Sequence, residues 1–313
     1  MGIFAIILFT YALIEYIILD ERKSNRTFIL TLLGLLTVSL WASAFVGIRY
    51  GLHGYHPGSL ALLRYLVASF CSLLILFYQK GITRPNLLKK DFILIALSGG
   101  LGIGIYNIAL NFGEMTLSAA IASFTIAQAP VLATILAVCF LGERLKPVGI
   151  IGILISMMGV GLIAYSRINM SGSHATGVGL FYIFVAVACS ASYSVLQKPV
   201  LNRLHPLQAV CYAIWVGTTI LLIYLPQLIQ DIQTAPLGAT LIAIYMGIFP
   251  AALAYFLWGY LLAQDSIARQ AAMLYFLPLI TMFFGWIFLG EVMPMLAVAG
   301  GFVALVGAFL VRQ

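Results

Sequence analysis

The sequence predicts an all-α membrane protein of ten transmembrane helices, built as two inverted five-helix repeats. Three observations predict it: long apolar runs, a one-sided distribution of basic residues, and a self-match held at a nearly constant interval along the chain. Of the 313 residues, 63% are hydrophobic and 8% are charged. Soluble domains run at about 45–50% apolar and about 25% charged, so this chain has too few polar side chains to cover a water-facing surface. A soluble enzyme, a nucleic-acid-binding domain and a disordered chain are excluded on that ground. The net charge of +7 finds its explanation in topology rather than in a polyanionic partner. Cys71, Cys139, Cys189 and Cys211 all lie inside apolar runs. They read as small hydrophobes, not as disulfides or metal ligands.

A helix needs about 20 apolar residues to cross a hydrocarbon core. Ten segments qualify: 28–50, 59–79, 91–112, 117–141, 147–166, 177–197, 206–226, 237–260, 268–290 and 295–311. They are numbered as spans one to ten below. Continuous runs argue for helices, since barrel strands alternate in polarity over about ten residues. A helix also pairs its own backbone groups, which lipid requires. Residues 1–19, MGIFAIILFTYALIEYIIL, are apolar but short, and they carry Glu15. They lack the basic start and small-residue cleavage site of a signal peptide. An eleventh crossing, an interfacial helix and sequence upstream of the natural start all fit, and we expect the segment to be peripheral.

Basic residues favour the cytoplasmic side of a membrane. With residues 22–26 inside, thirteen of the sixteen Lys and Arg residues fall inside, and only Arg49, Arg64 and Arg167 fall outside. Both ends of the ten-span unit are then cytoplasmic, and the expected location is a bacterial inner membrane.

The halves match at 149 residues for Ser43/Ser192, Arg49/Lys198, His56-Pro57/His205-Pro206 and Tyr106/Tyr255. They match at 148 for Ser118/Ser266, Pro130/Pro278, Leu141-Gly142-Glu143/Leu289-Gly290-Glu291, Gly152/Gly300 and Gly159/Gly307. A self-match sustained in one register marks an internal repeat. The expected division is 1–26 as hydrophobic segment and basic loop, 27–167 as first repeat and 177–312 as second. Five spans per half flip the second copy relative to the first. Such inverted repeats suit alternating access, because each half can take up the other's conformation. A scaffold or a sensor built by duplication is the rival reading.

The residues carry a resemblance. The stretches WASAFVGIR at 41–49, H-P followed by L-R at 56–64, SAAIASF with AQAPV at 118–131, and LGERLKP at 141–147 resemble the EamA-type transporters of the drug/metabolite transporter superfamily. The resemblance covers about residues 27–311. It implies ten helices around a central cavity, and export or exchange of small metabolites such as amino acids.

Candidate linings follow from cost, since polar side chains inside spans are expensive against lipid. Span three carries Gly100, Gly104, Asn107 and Asn111 on one stripe. Phe124 with Gln128 in span four, and Tyr193 with Gln197 in span six, are pairs one turn apart. Trp41, Tyr255, Trp258, Gln270 and Tyr275 complete an aromatic, amide-bearing set. We expect Trp41, Asn107, Gln128, Tyr193, Tyr255 and Tyr275 to share one cavity. Pro130, Pro250 and Pro278 each remove a helix bond and free the carbonyl four residues earlier, at Ile126, Met246 and Leu274. Arg49 and Arg64 are candidates to hold a substrate carboxylate or to pair with Glu114 as an outer gate; snorkelling to the interface is the alternative. No Asp or Glu falls near the middle of a span, so a coupling carboxylate is not evident.

No cofactor or metal is expected, and no His/Asp/Glu cluster suggests an enzyme. The implied partners are a small-molecule substrate, the bilayer and a homodimer through the glycine-rich spans five and ten. Nucleic acid is not among them. Organic-cation efflux and a non-transporting receptor or assembly factor are the alternatives to metabolite export.

Overall fold

The computed structural model describes residues 23–78, 87–141, 147–171, 173–264 and 273–311. The 1–19 segment, the 142–146 loop with Glu143, and Gln270 lie outside the described residues. The described residues are helical and contain no strand. Seven helices are long and apolar enough to cross a membrane, and three shorter apolar ones match spans five, nine and ten. Phe77, Phe92, Phe181 and Trp286 are exposed on the outside of the bundle, as a lipid-facing surface requires.

The inversion is visible in how repeat mates pack. Spans five and ten lie antiparallel: Gly159 sits against the Gly300 carbonyl, and Gly307 against the Gly152 carbonyl. Small residues let the two backbones close together. Spans two and seven also run antiparallel. Trp215 Nε1 donates to the Ser69 carbonyl at 3.4 Å, and Thr218 Oγ1 contacts the Tyr65 carbonyl at 3.2 Å. Equivalent loops close the two ends. On the predicted outer side Tyr55 meets the Thr240 hydroxyl at 2.7 Å, and on the predicted inner side Arg203 pairs with Asp91 at 3.0 Å. Thr240 and Asp91 are repeat mates, 149 residues apart.

Spans three and eight are each interrupted by a π-helical segment, Gly100–Ile105 and Phe249–Leu253, starting at equivalent positions. π turns widen a helix and recur at functional sites. Span four breaks at Ala127–Gln128, between helices Ala119–Ile126 and Ala129–Leu141. Its mate, span nine, carries a 3₁₀ turn at Leu274–Phe276. The proline pair Pro130/Pro278 follows these breaks directly.

Several bounds differ from the sequence expectation, among them span one, which begins at Lys23, and span five, which runs to Ser171. Span six extends over Ser173–Leu201 and span three over Lys89–Glu114. Span seven ends at Leu221, and a separate amphipathic helix, Leu225–Thr234, follows where a loop was expected. Its Asp231 accepts from the His56 amide at 2.8 Å and from the Ser59 hydroxyl, capping the start of span two. Gln227, Gln230, Asp231 and Gln233 make this helix too polar to register as a membrane run.

Candidate functional site: a cavity on the repeat axis

The two π segments, the broken span four and the 3₁₀ turn of span nine converge around a cavity of about 90 Å³. One ordered water needs about 10–15 Å³, so there is room for a small organic solute in place of several waters. Much of the wall is made of repeat mates. Trp41 stands with Ser190, Phe45 with Ser194, Tyr106 with Tyr255, Ile126 with Leu274, and Ala129 with Leu277. The cavity therefore lies where the two halves meet.

Four of the six residues expected to share a cavity do so: Trp41, Asn107, Tyr193 and Tyr255; Trp258 joins them. The Trp41 ring meets Tyr255 edge-on at 5.6 Å and Trp258 at 5.2 Å. Its Nε1 donates to the Pro250 carbonyl at 3.2 Å, so the π turn offers Pro250 itself, rather than Met246, to a side-chain donor. Tyr193 packs edge-on to Tyr255 at 6.2 Å. Asn107 Nδ2 donates to the Tyr65 hydroxyl at 2.9 Å and to the Ile103 carbonyl at 2.8 Å.

The other expected linings are turned elsewhere. Asn111 lies one turn further out, and its amide donates to the Pro57 carbonyl at 2.8 Å, tying span three to the start of span two. Phe124 packs into the gap left by Gly301 of span ten. Gln128 bonds the Ser156 hydroxyl of span five. Gln197 is buried one turn from Tyr193, beyond the cavity wall. Tyr275 donates to the Ala308 carbonyl of span ten at 2.7 Å. Asn111, Gln128 and Tyr275 hold helices together, the ordinary use of polar groups between packed spans.

The two arginines separate in role. Arg64 is 3% exposed, yet it lines the cavity. Its Nε and Nη1 meet no hydrogen-bond acceptor among the described residues, and its guanidinium carbon lies 5.9 Å from the Tyr65 ring centre. Its repeat mate is Ala213, so one half alone supplies the charge. Arg49 lies towards the predicted outer end. Its Nε is 3.2 Å from Glu291 Oε1, and its Nη1 donates to the Glu114 backbone carbonyl at 2.7 Å. Glu291 Oε2 in turn accepts from the Ala119 amide at 3.2 Å. Arg49 thus latches span one to spans three, four and nine.

Sequence reasoning placed Phe45 beside Trp41 but missed Tyr65, Ser190 and Ser194 as part of the site. Ser190 and Ser194 were within reach of the 149-residue interval from Trp41 and Phe45. Tyr65 had no such signal, because a tyrosine beside an arginine near a span end reads as an interfacial anchor.

Comparison with known proteins decides the lineage. The model of the EamA-like transporter family matches twice, over residues 28–165 and 177–313. The chain belongs to the EamA-like transporter family. A "probable terminal-alkyne amino-acid exporter" of Streptantibioticus cattleyicolor is 38% identical over 279 residues, covering 89% of this chain and 91% of the relative. An uncharacterized transporter of Bacillus subtilis is 34% identical, covering 87% of each chain. A "probable amino-acid metabolite efflux pump" of Escherichia coli is 25% identical, covering 89% of this chain and 93% of its own. A solved crystal structure shares the fold with a TM-score of 0.61 at 17% identity, covering 91% of this chain and 96% of that one. This EamA-like transporter is accordingly a membrane protein of two related halves that carries small molecules.

Proposed function

We propose that this EamA-like transporter exports amino acids, holding the solute carboxylate on Arg64. The observation that carries this reading is a buried guanidinium with unengaged donors inside an aromatic cavity. A charge taken out of water costs several kcal/mol unless it is paired, so the site favours an arriving anion. Guanidinium and carboxylate also match in a two-pronged geometry. Trp41, Tyr193 and Tyr255 offer flat apolar walls to the rest of the solute. The same positive charge repels an organic cation, which weighs against drug-cation efflux. The names of the relatives, an amino-acid exporter and an amino-acid efflux pump, support the solute class and the direction.

Arg49 and Glu291 act as the outer closure of an alternating-access cycle. The chain works as a carrier rather than as an enzyme, and it sits in a bacterial inner membrane with both ends of the ten-span unit inside. The division into repeats at 27–167 and 177–312 belongs to the same reading. A homodimer through spans five and ten would use their outer faces, where Met157 and Phe302 are exposed, because their glycine faces meet within the chain.

The test is efflux from proteoliposomes loaded with radiolabelled L-threonine, L-phenylalanine and L-propargylglycine. Arg64→Gln is expected to cut flux about tenfold or more, since a hydrogen bond to a charged group contributes about 1.5–3 kcal/mol. Arg64→Lys keeps the charge but not the fork, and is expected to fall between. Equal flux in all three proteins contradicts the assignment.

A further inference from the structure

Ser190, Tyr193, Ser194 and Gln197 lie three or four residues apart and share one face of span six. The first three line the cavity. Gln197 continues the stripe one turn on and is 2% exposed. Side chains on a helix lean towards its start, so the Gln197 amide leans towards Tyr193 and the cavity. It is a side-chain neighbour of the Tyr193 hydroxyl. Yet Tyr193 Oη, Gln197 Oε1 and Gln197 Nε2 have no partner in hydrogen-bonding geometry among the described residues. Buried polar atoms are normally paired, so these three ask for a partner that arrives with the solute.

The inverted repeat sharpens the point. The mates of the four residues, 149 positions earlier, are Trp41, Ala44, Phe45 and Ile48. Trp41, Ala44 and Phe45 line the same cavity, and Ile48 is buried. One copy of the stripe is therefore apolar, and the other bears a hydrogen-bonding group at every position. The indole donor of Trp41 is already spent on the Pro250 carbonyl.

Donors and acceptors are also divided between the walls. Arg64 carries donors only. Asn107 Nδ2 is engaged by the Tyr65 hydroxyl and the Ile103 carbonyl. The span-six stripe supplies oxygens instead. Ser194 donates to the Ser190 carbonyl at 3.1 Å, which leaves its own oxygen able to accept. An ammonium group donates three hydrogens and accepts none.

We infer that the span-six stripe is the ammonium site of the solute, with Tyr193 Oη and Gln197 Oε1 accepting from the α-ammonium while the carboxylate lies on Arg64. The solute side chain then runs along Trp41, Ala44 and Phe45. Tyr193 and Gln197 thereby set specificity for amino acids over carboxylates that lack the amino group. This inference deepens the amino-acid reading and rests on the carboxylate role of Arg64.

Titration calorimetry of the purified protein tests it with three matched pairs: L-phenylalanine and 3-phenylpropanoate, L-propargylglycine and 4-pentynoate, L-threonine and 3-hydroxybutanoate. The amino acid is expected to bind more tightly than its partner. Tyr193→Phe and Gln197→Leu are each expected to weaken the amino acid about tenfold or more, and to leave the des-amino partner within about twofold, because only the amino acid loses a charged hydrogen bond. Arg64→Gln is expected to weaken both members of a pair alike. Thermal unfolding is expected to be unaltered or raised in Gln197→Leu, since an apolar group of similar shape replaces an unpaired amide. Tyr193→Phe removes a single oxygen and carries the test if Gln197→Leu does not fold.

Equal affinity within every pair in the wild type overturns the ammonium site. So do variants of Tyr193 and Gln197 that weaken both members alike, as a structural role would, or neither. Each of these results leaves the Arg64 reading standing if Arg64→Gln still weakens both members. Binding of none of the six compounds overturns the Arg64 reading and this inference with it.

Discussion

The Ser69 and Thr218 hydroxyls lie 2.8 Å apart, and the two residues are separated by 149 positions, the interval that relates the halves. A residue can touch its own repeat mate only on the axis that exchanges the two copies. This one hydrogen bond therefore marks where the pseudo-twofold axis passes between spans two and seven. Thr218 also contacts the Ile214 carbonyl at 2.7 Å, which leaves Ser69 as the donor.

Removing that contact is expected to be mild. Ser69→Ala and Thr218→Val, with the double variant, form a cycle readable by unfolding in detergent. The coupling is expected near 0.6 kcal/mol, the average for hydrogen bonds between membrane helices. A coupling of zero shows that the two hydroxyls do not bond.

Spans five and ten have less tolerance. A Cβ added at Gly159 would fall 2.6 Å from the Gly300 carbonyl oxygen, with backbone of Ala304 beside it. Backbone cannot step aside as a side-chain tip can. Gly159→Ala is expected to lower stability by about 1–3 kcal/mol, the usual cost of overpacking. Gly161, with nothing within 4 Å of its added Cβ, is the control, and Gly161→Ala is expected to be neutral. Thermal unfolding of both variants checks the contrast.

The outer latch is non-additive. Arg49 and Glu291 are 32% and 16% exposed, so the ion pair itself is partly screened and worth about 1 kcal/mol or less. Arg49 also holds the Glu114 carbonyl. Arg49→Met is therefore expected to disturb transport more than Glu291→Gln. The double variant is expected to resemble Arg49→Met alone. Flux through the three variants, scaled to folded protein, tests this; additive losses show independent roles.

The aromatic wall has its own signature. Trp41 touches Tyr255 and Trp258 and donates to the Pro250 carbonyl at 3.2 Å. Trp41→Phe keeps an aromatic face but leaves that carbonyl without its donor, at a cost of about 1–3 kcal/mol. Trp41→Ala removes the face as well. Flux is expected to fall in the order wild type, Trp41→Phe, Trp41→Ala, with competition by phenylalanine lost in the last.

The spans and the repeat were legible because both rest on strong signals: apolar length, and a register sustained along the whole half. The faces were less legible. In span three the stripe of Gly100, Gly104, Asn107 and Asn111 assumed one regular α-helix. The π segment rotates its start, so Gly102, and not Gly100 or Gly104, faces Tyr193, while the latter two face Ile220. Span four is apolar on all sides, so nothing in its sequence distinguishes the face of Phe124 and Gln128 from the one lining the cavity. Arg64 was placed near a span end by counting, yet the side chain is long enough to bring its charge into the cavity. Glu114 was read as an end residue, and its burial by neighbouring elements is a tertiary property that no local pattern carries.

Counterflow tests the central claim most directly. Proteoliposomes loaded with unlabelled L-threonine, L-phenylalanine and L-propargylglycine are diluted into trace label. A cavity opened alternately by two inverted halves predicts transient accumulation of label above its equilibrium level, driven by exit of the unlabelled pool. A monotonic approach to equilibrium, as through a pore, contradicts it.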